Sequence, residues 1–312
     1  MTTAHPLLHA EIVADIERAA TEHRGRPWTA LGLLDRTDRA SHSCGILRGE
    51  PFSVFAKLGT APAAREQFGA ELAGLRRLSQ LAQVATPVPV ACGLAGRPGR
   101  ALLLSEALPE CPPSERGPRE WRSIGYALAA LHQVSGPRFG LGEERGFFGP
   151  LPQDNRPVPS NRWSDFYAER RLIPMLRLAV DSGHLPPTLA VGIGRIAARL
   201  PGLCGAEPRP TLLHGDAQQN NFVTTAAGAV LIDAAPYFGH PEADLALVDY
   251  FQPVPADVFG AYRDVLNPEP GFAARKELWR LAAYLAVITV DGHKPSGRQY
   301  IGRLADAIAA YT

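Results

Sequence analysis

The chain has 312 residues, 46% of them hydrophobic, and a net charge of +1, so it can bury a large core and divide into two lobes, while nucleic acid and an acidic membrane surface are excluded as bulk electrostatic partners. Cys44, Cys92, Cys111 and Cys204 show neither CxxC spacing nor a disulfide framework, as expected of a reduced cytoplasmic protein. No run approaches the length of a membrane span, and the start, MTTAHPLLHAE, lacks the basic and apolar regions of an export signal.

Apolar residues at Leu7, Leu8, Ile12, Val13 and Ile16 recur at helical spacing, which predicts a packing helix over residues 6–23. The period then changes. Across residues 28–57 the segments ALGLL, CGILRG and PFSVFAK read as three strands of an antiparallel sheet. In the turn Ala40-Ser41-His42-Ser43-Cys44-Gly45, small side chains and backbone N–H groups can lie against a phosphate, and Cys44 reads as a structural thiol. Basic residues are almost all arginine, the lysines being Lys57, Lys276 and Lys294, so Lys57 beside Val54 and Phe55 is conspicuous. It is either an edge residue with its ammonium in water or a group that reaches phosphates.

Residues 63–81 form a predicted helix with Phe68, Leu72, Leu75 and Leu78 on one stripe and Glu71 at its border. A carboxylate bordering a buried stripe wants a cation, and Lys57 would supply it, with Glu66 as the competing partner. The prolines keep residues 86–90 extended. RALLLSEAL, residues 100–108, is a buried strand that runs into Pro109, Pro112 and Pro113. This shift in composition marks a hinge and divides the chain into 1–107 and 108–312.

A helix is expected over 118–134, with Ile124, Leu128 and Leu131 inward. Residues 146–162 are rich in Pro and Gly and long enough to be a functional loop. NRWSDFYAERRLIPML then reads as an amphipathic helix whose aromatics are core, with Arg170 and Arg171 either surface charges or substrate contacts. Further helices are expected over 189–203, 255–266, 271–290 and 296–311.

Residues 211–247 gather acids and amides in a chain that is otherwise apolar. Phe222 to Thr225, the turn Ala226-Ala227-Gly228, and Ala229 to Asp233 read as a β-hairpin. A three-residue loop centred on Ala227 would pair Asn221 with Asp233, with Cα atoms about 4.5 to 5.5 Å apart, and Asp216 on the entering loop would bring a second carboxylate. Two carboxylates and an amide oxygen suit a magnesium ion that also holds phosphate oxygens. His214 reads as support for the loop and Asp244 as a cap or brace of the next helix. His240 is either a satisfied turn histidine or a substrate contact.

His214-Gly215-Asp216, Asn221 five residues after the Asp, and the apolar strand ending in Ile232-Asp233 resemble the catalytic segment of the aminoglycoside phosphotransferase and protein-kinase-like superfamily. LLHGD followed by VLIDAAPYFGHPEADLAL is similar, more narrowly, to the fructosamine (ketosamine) kinase branch. LAALH before Arg138-Phe139-Gly140, and Trp163, Phe166, Tyr167, Arg170 and Arg171 in matching positions, extend the likeness. The resemblance implies an α+β, two-lobed protein-kinase-like fold, with an N-terminal antiparallel sheet lobe carrying one key helix and a larger, mainly helical C-terminal lobe. It implies ATP or GTP and Mg2+ as cofactors, Asp216 as the catalytic base, Asn221 and Asp233 as metal ligands, and Lys57, fixed by Glu71, on the α and β phosphates. It also places the phosphate-covering loop at Ser41 and Ser43, and the adenine edge against backbone from Ser105 through Glu106 to Ala107.

Two stretches depart from the branch. Ala217-Gln218-Gln219-Asn220-Asn221 stands where the branch has a Leu-Trp-x-Gly-Asn run, and LAAYLAVITVDG replaces a helix rich in Asn, His and Trp. Both would lie near the acceptor pocket, with Gln218, Arg170, Arg171 and His240 as candidate substrate contacts. The expected activity is phosphorylation of a hydroxyl on a sugar-bearing small molecule. Its acceptor is expected to be atypical, such as an aminoglycoside or nucleoside antibiotic inactivated by phosphorylation; the alternative is a true ketosamine kinase in protein deglycation. More remote are a metal-dependent hydrolase using His214, Asp216, Asp233 and His240, and a non-catalytic nucleotide-binding protein. A monomer or homodimer without nucleic-acid or membrane partners is expected.

Overall fold

The computed structural model describes residues 5–37, 42–142 and 145–311. A 3-10 turn (Pro6–Leu8) leads into α1 (Ala10–Arg24), which ends at Gly25 with φ of 74°, the left-handed cap that glycine adopts without Cβ strain. Strands β1 (Gly32–Asp35), β2 (Ser43–Arg48) and β3 (Val54–Gly59) precede α2 (Ala64–Ala82), and β4 (Pro89–Arg97) and β5 (Arg100–Glu106) follow it. They form one five-stranded sheet in the order β1-β2-β3-β5-β4, antiparallel throughout.

Alternation gives this sheet two faces. One carries Leu47, Val54, Ala56, Leu58, Leu102 and Leu104 against Ile12 and Ile16 of α1. On the other, Ala101 and Leu103 meet Phe68 and Leu72 of α2. Lys57, read from sequence as a strand end, stands inside β3 on this second face, paired with Cys44 and Leu103. Strand β4 was hidden in the sequence because a bulge between Pro89 and Leu94, with Ala91 and Gly93 at positive φ, breaks its alternation.

The remainder is mainly helical. After α3 (Pro118–His132), residues expected as loop contain a hairpin, β6 (Arg145–Phe148) and β7 (Leu151–Asp154). The helix expected next is three pieces, α4 (Trp163–Tyr167), a π turn (Ala168–Leu172) in which Arg171 is buried, and α5 (Ile173–Asp181). Then come α6 (Pro187–Leu203), the short β8 (Thr211–Leu212), the hairpin β9 (Phe222–Thr225) and β10 (Gly228–Leu231), and β11 (Phe238–Gly239). Helices α7 (Pro241–Leu247), α8 (Ala256–Arg263), α9 (Phe272–Asp291) and α10 (Pro295–Tyr311) complete the lobe. Trp163, Phe166 and Tyr167 pack with Leu278, Trp279 and Tyr284 of α9 in its core.

A further cluster joins the lobes: Leu75 and Leu78 of α2 pack with Ile124 and Leu128 of α3, Phe222 and Leu231 of the hairpin, and Leu245 of α7. Helix α2 therefore takes its position from both lobes. The architecture is the two-lobed α+β fold that the resemblance implied. Among the described residues no helix is long and apolar enough to cross a membrane.

Helix α3 crosses α8 at Gly125, where a Cβ would stand 2.1 Å from the Val258 carbonyl oxygen and 2.9 Å from the Ala261 Cβ. The Gly125→Ala variant is expected to force the helices apart and to lose about 1 to 3 kcal/mol, the usual cost of overpacking. The check is a lower urea midpoint at unchanged m-value.

Candidate active site

Lys57 is 6% exposed. Its ammonium donates to Glu71 at 2.9 and 3.2 Å and also to Asp233 Oδ1. The contact with Glu71 follows from packing, since α2 lies on the sheet face that carries Lys57 and presents Glu71 beside Phe68 and Leu72. The competitor Glu66 is exposed and stands 3.9 Å from Arg145. Burial alone would discharge Lys57, but the charges of Asp233 and Glu71 more than reverse this and hold it protonated. Burial works to raise Asp233 as well; the Lys57 charge and the hydrogen bonds it receives outweigh that and bring it down to about 2. For Glu71 burial wins over the pull of Lys57, and its pKa lies above the usual carboxylate range.

The hairpin that carries Asp233 closes one residue tighter than the sequence reading held. Thr225 pairs with Gly228 and Phe222 with Leu231, so the loop is Ala226-Ala227, and the Ile232 amide donates to the Asn221 carbonyl at 3.0 Å. Asn221 is thus not opposite Asp233. The two still share one cleft, because Asn221 ends a 3-10 turn (Gln219–Asn221) and Asp233 takes φ of 52°, bending the chain out of strand geometry.

Asn221 Nδ2 donates to the Asp216 carbonyl at 2.8 Å and to its Oδ2 at 3.1 Å. That contact commits the amide nitrogen and leaves oxygen as the donor for a cation. Burial, with the Asp233 charge second, pushes Asp216 up to about 7. The loop beneath is pinned: Asp244 accepts the His214 and Gly215 amides at 2.6 and 3.0 Å and faces His132 Nε2 at 3.3 Å. His214 Nδ1 accepts the Asp216 amide at 3.3 Å. Asp244 therefore braces the loop before it rather than capping α7. Gly215 has φ of 84°, and a Cβ there would stand 2.0 Å from the Ala235 carbonyl oxygen, so the tight turn requires glycine.

Lys57, Glu71, Asp216, Gln218, Asn221 and Asp233 line one cleft of about 780 Å³. Cross-strand pairing places Ile46, Phe55 and Ser105 on the same sheet face as Lys57, Ile46 and Phe55 being only partly buried. Ser43, Glu106 and Ala107 do not line this cleft. Ser41 is outside the described residues. Ser43 pairs with Leu58, which turns it to the α1 side by strict alternation. The Glu106 carboxylate meets His23 of α1 at 3.0 Å, and the amides of Glu106 and Ala107 donate to Val88 and Ser53 carbonyls.

Three candidate substrate contacts also do not line this cleft. Arg171 is buried, donating to the Asp154 carbonyl and Asn155 Oδ1 and lying 3.9 Å over the Tyr237 ring. Arg170 donates to the Arg156 carbonyl at 2.9 Å. His240 is 1% exposed, caps α7 by accepting the Glu242 amide, and packs on Trp279; burial lowers its pKa to about 4. With His240 so placed, the four residues of the hydrolase alternative do not converge. His42, part of the turn read as lying against a phosphate, lines the cleft, and cleft residues the sequence reading missed include Phe147, Phe148, Tyr250, Phe251 and Asp291. The paired aromatics Phe147-Phe148 and Tyr250-Phe251, each in a polar stretch next to an element end, were the available signal.

A sheet lobe whose lysine is gripped by a helix glutamate, closed over a lobe that offers two carboxylates and an amide, is the arrangement of a protein-kinase-like phosphotransferase, here a small-molecule kinase. The fructosamine kinase family model matches residues 14–305, and the chain belongs to that family. A probable ketoamine kinase of Synechocystis is 33% identical over 219 residues, 69% of this chain and 70% of the relative. The crystal structure of a candidate fructosamine-3-kinase from Thermobifida fusca is 32% identical with a TM-score of 0.77, covering 95% of this chain and 98% of that one. The aminoglycoside phosphotransferase APH(4)-Ia, solved with ADP and hygromycin B, shares the fold at 16% identity and a TM-score of 0.63, over 95% of this chain and 98% of its own.

Because the folded-state pKa of Asp216 is raised to about 7, the unfolded chain ionises first, and stability falls as pH rises from about 4 to about 7. Asp216→Asn removes that penalty. Its Tm should exceed the wild type by about 2 to 4 °C at about pH 8, with little gain at about pH 4, as read by thermal unfolding of the protein without nucleotide.

Proposed function

We propose that the protein transfers the γ-phosphoryl group of ATP or GTP to a hydroxyl of a sugar-bearing small molecule, residues 1–107 holding the nucleotide and 108–312 the acceptor. The reading rests on the asymmetry of two neighbouring carboxylates. Asp233 is held ionised, to about 2, while Asp216 is raised to about 7, and environments that push two acids apart assign them different work. Asp216 is the base, with a pKa near the operating pH where proton transfer is most efficient. Asp233 and Asn221 present oxygen, the donor a magnesium ion takes, and would hold it. The bound ion would neutralise charge on the phosphates.

The roles of the other residues are positional. Lys57, steadied by Glu71, faces the α and β phosphates. Ile46 and Phe55 offer an apolar face for the base, and Gln218 stands in the cleft beside Asp216 to orient the acceptor. Most of the work is alignment, as a loose phosphoryl transition state asks.

The acceptor is atypical for the family. Phe148, Tyr250, Phe251, Val287 and Val290 make the acceptor end of the cleft apolar, which favours a bulkier, less polar molecule than a simple sugar amine, such as an antibiotic inactivated by phosphorylation. A true ketosamine kinase is the second reading, favoured by the ketoamine kinase relative.

A phosphorylation screen with ATP and GTP against glycated amines, aminoglycosides and nucleoside antibiotics, with the product located by NMR, separates the two. Asp216→Asn should lower kcat by about 10² to 10⁴, the range for general-base catalysis, with nucleotide Kd within about threefold of wild type. Wild-type turnover in that variant would remove Asp216 from its role.

A further inference from the structure

At the end of the cleft formed by the last turn of α9, one carboxylate is out of keeping with its surroundings. Asp291 is the last residue of α9, where the helix dipole favours cations and an acid is unfavourable. It lines the same cleft as Asp216, and its side chain is 36% exposed. Lys294 partners it at 2.7 Å, but that lysine is itself 55% exposed, and such surface pairs contribute little and exchange readily. Apolar side chains line the same cleft: Val287 and Val290 on α9, Phe251 after α7 and Phe148 on the β6–β7 hairpin. Phe251 and Val290 remain 42% and 37% exposed, apolar surface that a ligand would remove from water.

We propose that this end of the cleft is a subsite for a protonated amine carried on an apolar body, with Asp291 as the residue that selects the positive charge. The inference rests on the phosphotransfer reading, since it supposes that the hydroxyl of the same molecule lies at Asp216. A cation in place of the Lys294 ammonium keeps Asp291 paired, and the ring faces of Phe148 and Phe251 attract both the charge and the hydrocarbon next to it. A neutral acceptor of the same shape gains no such pair with Asp291, and that difference is the source of selectivity.

The probes are 4-phenylbutylamine and its N-acetyl derivative, titrated against the full chain by saturation-transfer NMR. The amine should bind the wild type about tenfold more tightly than the amide, and in Asp291→Asn the ratio should shrink to about twofold or less. Lys294→Ala, which removes the competing cation, should tighten the amine alone. Equal binding of the two probes to the wild type, or an unchanged ratio in a folded Asp291→Asn, overturns the subsite. Should Asp291→Asn not fold, Lys294→Ala decides: tighter amine binding supports the proposal and unchanged or weaker binding overturns it. The same ratio measured in Asp216→Asn keeps the two readings apart. A retained ratio with no turnover of any acceptor in the wild type removes the phosphotransfer roles and leaves the subsite, and turnover with no ratio does the reverse.

Discussion

The structure turns on one buried ammonium shared by two carboxylates. Lys57 comes from the sheet, Glu71 from α2 and Asp233 from the end of the β9–β10 hairpin, so a single ion group ties three elements and both lobes. Breaking a buried pair on one side costs about 3 to 5 kcal/mol because a charge is stranded, which makes the group a constraint on how the lobes can sit. Its two acids are not equivalent. Glu71 is the more enclosed, its side chain 12% exposed against 36% for Asp233, and burial raises its pKa. The negative charge opposite Lys57 is therefore carried by Asp233, the more exposed of the two. On the proposed reading, a phosphate that takes the place of Asp233 at Lys57 releases that carboxylate for a cation without moving the Lys57–Glu71 pair.

The opposite lobe solves a different problem. Asp216 must keep a raised pKa, which requires burial near Asp233, yet a buried carboxylate on a loose loop would turn toward any available donor. The loop is held by its backbone instead. Asp244, 1% exposed, spends its oxygens on two consecutive loop amides and on His132, and His132 is in turn bonded to Tyr262 of α8 at 2.9 Å. With its main chain anchored through three helices, Asp216 accepts hydrogen bonds from the neutral amides of Asn221 and Gln218 and does not collapse onto a cation.

Legibility in the sequence followed from how local each cause is. Lys57 and Glu71 could be paired from the scarcity of lysine and from the position of one acid at the border of an apolar stripe. Asp216, Asn221 and Asp233 were identifiable from spacing, although the register was one residue off; Gly228, read as part of the loop, closes the turn as its last paired residue. Ser43 was read as part of a turn, yet it opens β2 and pairs with Leu58, because strand pairing across the sheet extends further than the local sequence shows. Arg170, Arg171 and His240 do not line the cleft, because what holds them elsewhere is remote in sequence: carbonyls at 154 and 156, an aromatic ring at 237, and Trp279 on α9. A charged side chain satisfied by distant backbone reads, in sequence, like one reaching for a substrate.

The two ends of the cleft differ in what builds them, and this bears on how such a fold changes its acceptor. At the proposed nucleotide end, each group depends on backbone features that tolerate little: strand parity at Lys57, positive φ at Asp233, a glycine at 215 with no room for a Cβ. At the proposed acceptor end, the lining comes from side chains on the last turns of α9, the residues after α7 and a hairpin whose main chain is already paired. Substituting these alters shape and charge without breaking a sheet bond or a buried ion pair, so the energetic penalty is that of surface change, usually within about 0.5 kcal/mol. A C-terminal half of α9 that is apolar and ends in one carboxylate, where the resemblance implied polar residues, is a change of that inexpensive kind. The phosphoryl-transfer machinery can therefore persist while the acceptor class drifts.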